Sequence, residues 1–281
     1  AAVDRGLPRR PPRVRPVVHV RLRRCRQSAW QPFQHGFGCA RSDWDLQVAH
    51  LSPRHETIAV DLGAHGATPG TAAHARIETH GSDVAALMSE LKLGGVVLVG
   101  HSMGCRVVME AAAREPARVA GVVLVDGSRM GQPGVNAHDP LLAEIKEKGG
   151  YASYIRPVFA SMFSRSFPAD KAAPVIERAA RMPADIAGPL FADIRRYDSE
   201  HMDRILAAQR WPLLAVQTTR IDAGGNRVSM RPGETTPYLD LLRAKVPGAE
   251  IEIIPDIGHF PQIEAPAALN RSLARFIGRL G

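Results

Sequence analysis

The sequence is poor in cysteine, in aromatic side chains and in long apolar runs. Its three cysteines, Cys25, Cys39 and Cys105, are an odd number without paired metal-ligand spacing. That excludes a disulfide framework and a zinc ribbon, predicts no metal site, and fits a reducing cytosol, so a cytoplasmic protein is expected. No apolar run approaches the roughly 18 to 20 residues that a spanning helix needs, so no membrane partner is expected. The N-terminus carries arginines but no apolar leader core, and no secretory signal is expected there.

Acidic residues and lysines are scarce at the start. Residues 1–34 hold nine arginines, no lysine and one acid, Asp4, which accounts for the whole formal charge of +8; the remainder balances at 27 basic and 27 acidic residues. A nucleic-acid-binding protein needs its basic side chains on a folded face with a reading element. Here they lie in one Pro-rich stretch, so nucleic acid is not an expected partner. A basic tail that did bind it would do so in a salt-sensitive way.

What is present is a core. At 281 residues and 45% hydrophobic, the chain suits one large α/β domain. Short apolar runs alternate with longer helical segments from residue 57 on, the pattern of a parallel sheet wrapped by helices. Strands are predicted at 57–62, 95–100, 119–128, 212–219 and 249–255. Helices are predicted at 82–93, capped by Ser82, at 103–116, after the Thr236-Pro237 cap, and at 265–280. Between 129 and 210 strand signals vanish and prolines break several helical segments, which reads as an inserted helical cap, with the core at 35–128 and 211–281. Residues 1–34 read as an atypical Arg/Pro-rich segment. "PVVHVRL" could form one exposed strand, whereas "SAWQPFQ" holds a proline that a central strand should not tolerate.

The stretch "VVLVGHSMGC" is a buried strand that stops at Gly100, admits Ser102 and meets Gly104. G-x-S-x-G between strand and helix forces the serine into a strained turn with its Oγ projecting above the carboxyl ends of the strands. A hydroxyl is a weak nucleophile, so it needs a base and the base an orienting acid. His259 in "DIGHFPQIEAP" follows the last strand and reaches the same edge, as does Asp222 in "TTRIDAGG". These two are the expected base and acid, giving the chain order Ser, Asp, His.

Through "HGFG", "GHSMG" and "GHFPQIEAP" the chain resembles the α/β-hydrolase superfamily over roughly residues 35–281, particularly its smaller capped esterase-like members. The resemblance implies hydrolysis of an ester or related acyl compound, with no organic or metal cofactor. It also implies an oxyanion hole formed by the N–H groups of Phe37 and Met103. Asp126, just beyond the strand "GVVLV", is the alternative acid, because some members of the superfamily recruit it there. "DLGAHG" replaces the more usual proline-glycine turn after the fourth strand.

His35 and His101 flank the serine and read as polar-network residues, Cys105 as core and Asp61 as structural. Seven of the twelve Phe and Tyr residues fall between 151 and 197, where they could roof an apolar pocket or simply supply the insertion's own core. Tyr154, Met162 and Phe163 are the expected pocket residues, closer to it than Phe191. The expected partner is therefore a small-molecule ester. Lactone, thioester, carbon–carbon bond and perhydrolase chemistry, and a ligand receptor with a hydrolase pocket, are the alternatives.

Overall fold

The computed structural model describes residues 20–23 and 30–280. Residues 1–19, 24–29 and 281, which include most of the Arg/Pro-rich start and Cys25, lie outside the described residues. The strands are β1 Val20–Arg23, β2 Trp30–Gln34, β3 Glu56–Val60, β4 Val96–His101, β5 Val119–Val125, β6 Leu213–Gln217, β7 Thr219–Ile221, β8 Arg227–Ser229 and β9 Glu250–Ile253. The helices are α1 Asp45–Leu51, α2 Ile77–Glu90, α3 Met103–Arg114, α4 His138–Glu147, α5 Tyr151–Ala160, α6 Ala169–Ala180, α7 Ala184–Glu200, α8 Met202–Ala207, α9 Pro237–Lys245, α10 Pro261–Glu264 and α11 Pro266–Gly278.

One sheet runs β1-β3-β2-β4-β5-β6-β9, parallel throughout except for β1, which pairs antiparallel with β3 at the edge. β4 is buried along its whole length and β5 nearly so, which is why both read as unbroken aliphatic runs rather than alternating ones. Alternate side chains feed two cores. Leu98, Val122 and Leu124 point to the side of α2 and α3. Val97, Val99, Val123 and Val125 meet Trp44, Leu273 and Phe276 on the other side. Phe276 is 1% exposed, so Phe276→Ala would cost roughly 3–5 kcal/mol. Among the described residues no helix is long and apolar enough to cross a membrane.

Two expectations are corrected here. The helix expected to begin at Ser82 begins at Ile77, and Ser82 lies inside it. Its first N–H group, that of Ile77, donates to the Asp193 carboxylate of α7 at 2.8 Å. That cap comes from 116 residues away, so no local signal announces it. The segment "WQPFQ" is a central strand after all, β2, between β3 and β4, so the sheet begins before residue 35. β2 tolerates Pro32 because its pairing with β4 begins only at Phe33, one residue further on. Of the strand read in "PVVHVRL", residues 20–22 fall in the edge strand β1, and residues 16–19 lie outside the described residues.

Between β5 and β6 run α4 to α8, with no sheet strand among them. The carboxyl ends of β4, β5, β6 and β9 share one rim of the sheet, where Ser102, Asp126, Thr218 and the segment before His259 follow in turn.

Candidate active site

Ser102 joins β4 to α3 with φ +52°, a left-handed conformation that a β-carbon disfavours. The glycines on either side explain how the turn fits. A β-carbon on Gly100 would lie 2.3 Å from the carbonyl oxygen of Gly104, and one on Gly104 would lie 2.5 Å from that of Gln34. Strand and helix touch backbone to backbone, and only hydrogen fits between them. The Ser102 N–H donates to the Val125 carbonyl at 2.9 Å, tying the turn to β5.

Ser102 Oγ lies 2.8 Å from His259 Nε2. On the far side of the ring, Nδ1 lies 2.5 Å from Asp126 Oδ2. A carboxylate only accepts, so Nδ1 carries the hydrogen and Nε2 is left as the acceptor for the serine hydroxyl. Asp126 also accepts from the N–H groups of Thr218 and Thr219 at 2.7 and 2.8 Å and from Thr219 Oγ1 at 2.6 Å. Burial alone would raise its carboxyl, but the hydrogen bond and charge of His259, with Arg227 and Thr219 behind them, hold it at about 2. The carboxylate is therefore fixed and ionised.

The His259 side chain is 3% exposed. Its pKa lies below the ordinary imidazole value, chiefly through burial and then the neighbouring Arg227 charge, with Asp126 pulling the other way. The ring is thus neutral near pH 7 and able to accept a proton. Its backbone is anchored twice. The His259 N–H donates to the Met162 carbonyl at 2.7 Å, and the neighbouring carboxylate of Glu264 accepts from Gly258 N and Ser164 N, each at 3.0 Å. The α5–α6 connection and the histidine loop are one hydrogen-bonded unit.

Asp222, expected as the orienting acid, is not at this site. It lies past β7, in the turn of the β7–β8 hairpin, where its carboxylate accepts from the N–H groups of Gly224 and Asn226 at 2.9 Å each. The reason is geometric: Asp126 is the residue immediately after β5, whereas Asp222 is five residues past β6 and is carried away by the hairpin. Asp126, the alternative, is the acid in contact with His259.

Phe37 and Met103 both border the cleft at Ser102. Met103 is the first residue of α3, so its N–H has no partner within the helix and faces outward at the positive end of the helix dipole. Met162 also borders the cleft, but Phe163 and Tyr154 do not. Phe163 stacks on Phe260, centroids 4.5 Å apart, and Tyr154 stands 6.2 Å from Phe191. Both lie one layer back. Phe191, expected to be more remote, lines the cleft together with Phe159 and packs 5.0 Å from Phe37. The space left beside Ser102 is about 30 Å³, room for on the order of two waters.

His101 Nε2 donates to the His259 carbonyl at 2.7 Å, and His35 is bound to Gly36 O and Leu62 N. Neither touches Ser102 Oγ by hydrogen bond. Cys105 donates to the Gly100 carbonyl, and Asp61 accepts from Arg41 and Ala67, so both serve the local fold. Sequence reasoning missed two arginines. Arg106, 1% exposed, forms a two-point pair with Asp198 and donates to the Ser102 and Ser128 carbonyls. Arg227 reaches from β8 to within 3.7 Å of Asp126. A cationic residue four positions after the nucleophile, on a helix whose partner acid lies 92 residues away, offers no local signal.

A sequence profile of the alpha/beta hydrolase family matches residues 35–272, and the chain belongs to that family. It is 26% identical over 266 residues to the dihydrolipoyllysine-residue acetyltransferase component of the acetoin cleaving system of Cupriavidus necator, covering 88% of this chain and 63% of that protein. The chain thus spans less than two thirds of that relative's length. It is 25% identical to the mouse (Mus musculus) sn-1-specific diacylglycerol lipase ABHD11, over 87% of this chain and 80% of that one. An esterase from Exiguobacterium antarcticum superimposes with a TM-score of 0.76 at 15% identity, covering 94% of this chain and 98% of that one. The protein is a member of the α/β-hydrolase family with esterase- and lipase-like relatives.

Proposed function

We propose that the protein is a serine hydrolase that cleaves small to medium carboxylic esters through an acyl-enzyme. The observation that carries this reading is the unbroken run of hydrogen bonds from Ser102 Oγ through His259 to Asp126, at 2.8 and 2.5 Å. His259 Nε2 takes the proton of Ser102 as Oγ attacks the ester carbonyl, and Asp126 stabilises the imidazolium that results. The N–H groups of Phe37 and Met103 receive the developing oxyanion; loss of one such donor costs about 2.7–4 kcal/mol. His259 then returns the proton to the leaving alcohol, and water repeats the sequence on the acyl-serine. Helices α5 to α7 serve as the cap, contributing Phe159, Phe191 and Ile194 to the cleft.

The small free volume at Ser102 favours short acyl groups. The test is a series of p-nitrophenyl esters from acetate to octanoate, assayed with wild-type protein and Ser102→Ala. The expected outcome is turnover that falls with acyl length and is lost in Ser102→Ala. Turnover that persists at full rate in that variant would sink the reading, and a protein that neither turns over these esters nor is labelled at Ser102 by a fluorophosphonate would favour a receptor.

A further inference from the structure

Arg227 has a setting that the triad alone does not explain. Its side chain is 12% exposed and leans toward Asp126 at 3.7 Å, but that carboxylate already accepts from His259, Thr218 and Thr219. Arg227 has one hydrogen bond of its own, from Nη1 to Thr219 Oγ1 at 2.7 Å, and among the described residues its Nε and Nη2 have none. Burial pulls its pKa below the ordinary arginine value even with Asp126 opposing. Because a guanidinium stays charged, this is a largely buried cation whose ion-pair partner stands 3.7 Å away and two of whose nitrogens make no protein hydrogen bond among the described residues.

The same side chain borders two spaces. One is the cleft at Ser102; the other is an adjoining groove of about 540 Å³, and Arg227 and Ser128 line both. Two more arginines border the groove, but each has an acid: Arg129 pairs with Asp203, and Arg220 donates to Glu234 at 3.2 Å. The acid in the groove wall, Asp240, is held by Arg243 and Thr235 at 2.8 Å each. Arg227 is therefore the arginine beside the serine with donors to spare, since the acid it approaches at 3.7 Å is shared with His259.

We propose that Arg227 receives a carboxylate carried by the substrate, so that the preferred ester is an anionic one whose charged end lies toward the groove beyond Ser128. This rests on the ester-hydrolase reading. A single planar fork matches a single carboxylate through two parallel hydrogen bonds, whereas a polyphosphate would need the two arginines that are already paired.

The test compares matched esters with and without the charge. p-Nitrophenyl monoglutarate against p-nitrophenyl valerate places it on the acyl side; the acetyl ester of 3-hydroxybutyric acid against 2-butyl acetate places it on the alcohol side. The wild type is expected to favour the charged member of one pair at least tenfold in kcat/KM, the scale of one charge-assisted hydrogen bond. That ratio should collapse toward unity in Arg227→Gln and fall severalfold in Arg227→Lys, which keeps the charge without the fork and carries the test if the first variant does not fold. No preference in either pair, or a preference that survives both substitutions, overturns the proposal. Loss of the ester reading shows differently, as turnover that persists in Ser102→Ala or is absent from the wild type. Titration calorimetry of monomethyl glutarate into Ser102→Ala then judges Arg227 alone. Binding should weaken severalfold on adding Arg227→Lys and be lost on adding Arg227→Gln, and equal binding without the arginine fork overturns the site.

Discussion

Nε2 of His101 lies 2.7 Å from the carbonyl oxygen of His259, and its other ring nitrogen faces Gln262 at 3.3 Å. The residue beside the serine thus holds the backbone of the residue that would take the serine's proton. His101→Ala leaves that buried carbonyl without its donor, at a cost of about 1–3 kcal/mol. A lowered melting temperature and a kcat reduced on the order of tenfold or more are expected, because the ring of His259 loses its support. Steady-state kinetics beside thermal melts would check this; an unchanged kcat would contradict it.

Asp126→Asn is expected to lower kcat by a factor on the order of 10³–10⁴, since an amide in that place favours the wrong imidazole tautomer. Asp222→Asn should change kcat less than about twofold, because its carboxylate serves only the hairpin turn. Measuring both variants on one p-nitrophenyl ester separates the two acids, and the reverse ranking would refute the assignment.

The pH dependence has a definite sign. His259 must be neutral to accept a proton, and its pKa is lowered from 6.5 by burial and by Arg227, so the neutral form persists to lower pH than for a free imidazole. kcat/KM should therefore fall on acidification with a midpoint below 6.5, while Asp126, at about 2, stays ionised across the whole range. A kcat/KM profile from pH 4 to 9 would show it, and a midpoint above 6.5 would run against it.

Stability should weaken on acidification for a separate reason. His65 and His80, rings 5.9 Å apart, are buried, and burial first of all lowers them from 6.5 to about 4 and about 3. In the unfolded chain they take up protons near 6.5, so the unfolded state binds more protons between that pH and the folded values. Their contribution is complete above 6.5 and lost as pH falls toward 4 and 3, at ~1.4 kcal/mol per pH unit for each group. His74, raised by its hydrogen bond to Asp83, works in the opposite direction. Urea midpoints at pH 7 and pH 5 should differ, and the difference should shrink in a His80→Phe variant that still folds.

The central strand carries a polar liability. Both amide atoms of Gln34 are buried without a hydrogen-bond partner among the described residues. Gln34→Met keeps the length and removes the unsatisfied amide, and should stabilise by about 1–3 kcal/mol. A denaturant midpoint that drops instead would show that the amide is doing something else.

This liability is also why β2 is hard to read from sequence. β4 and β5 show as unbroken aliphatic runs, because burial on both faces leaves them little choice. β2 has Gln31, Pro32 and Gln34 where such a strand would have aliphatics, and its place between β3 and β4 is set by pairing rather than composition. The serine turn was legible because its two glycines are required by backbone contact, and His259 because it follows the last strand directly. The acid was not, since Asp126 and Asp222 both follow strands. The sequence "IDAGGNRV" could have decided it: a Gly-rich turn between two short runs signals a hairpin, and a hairpin carries Asp222 away from the rim. Arg227 rides on that same hairpin, so its approach to Asp126 is invisible without the fold.

The most direct test of the Ser102–His259–Asp126 unit is the intact mass of the protein after exposure to a fluorophosphonate at neutral pH, with the modified peptide sequenced. The wild type should gain one phosphonyl group on Ser102, and His259→Ala should gain almost none in the same time. An adduct on another residue, or labelling of Ser102 that is as fast without His259, would contradict the account.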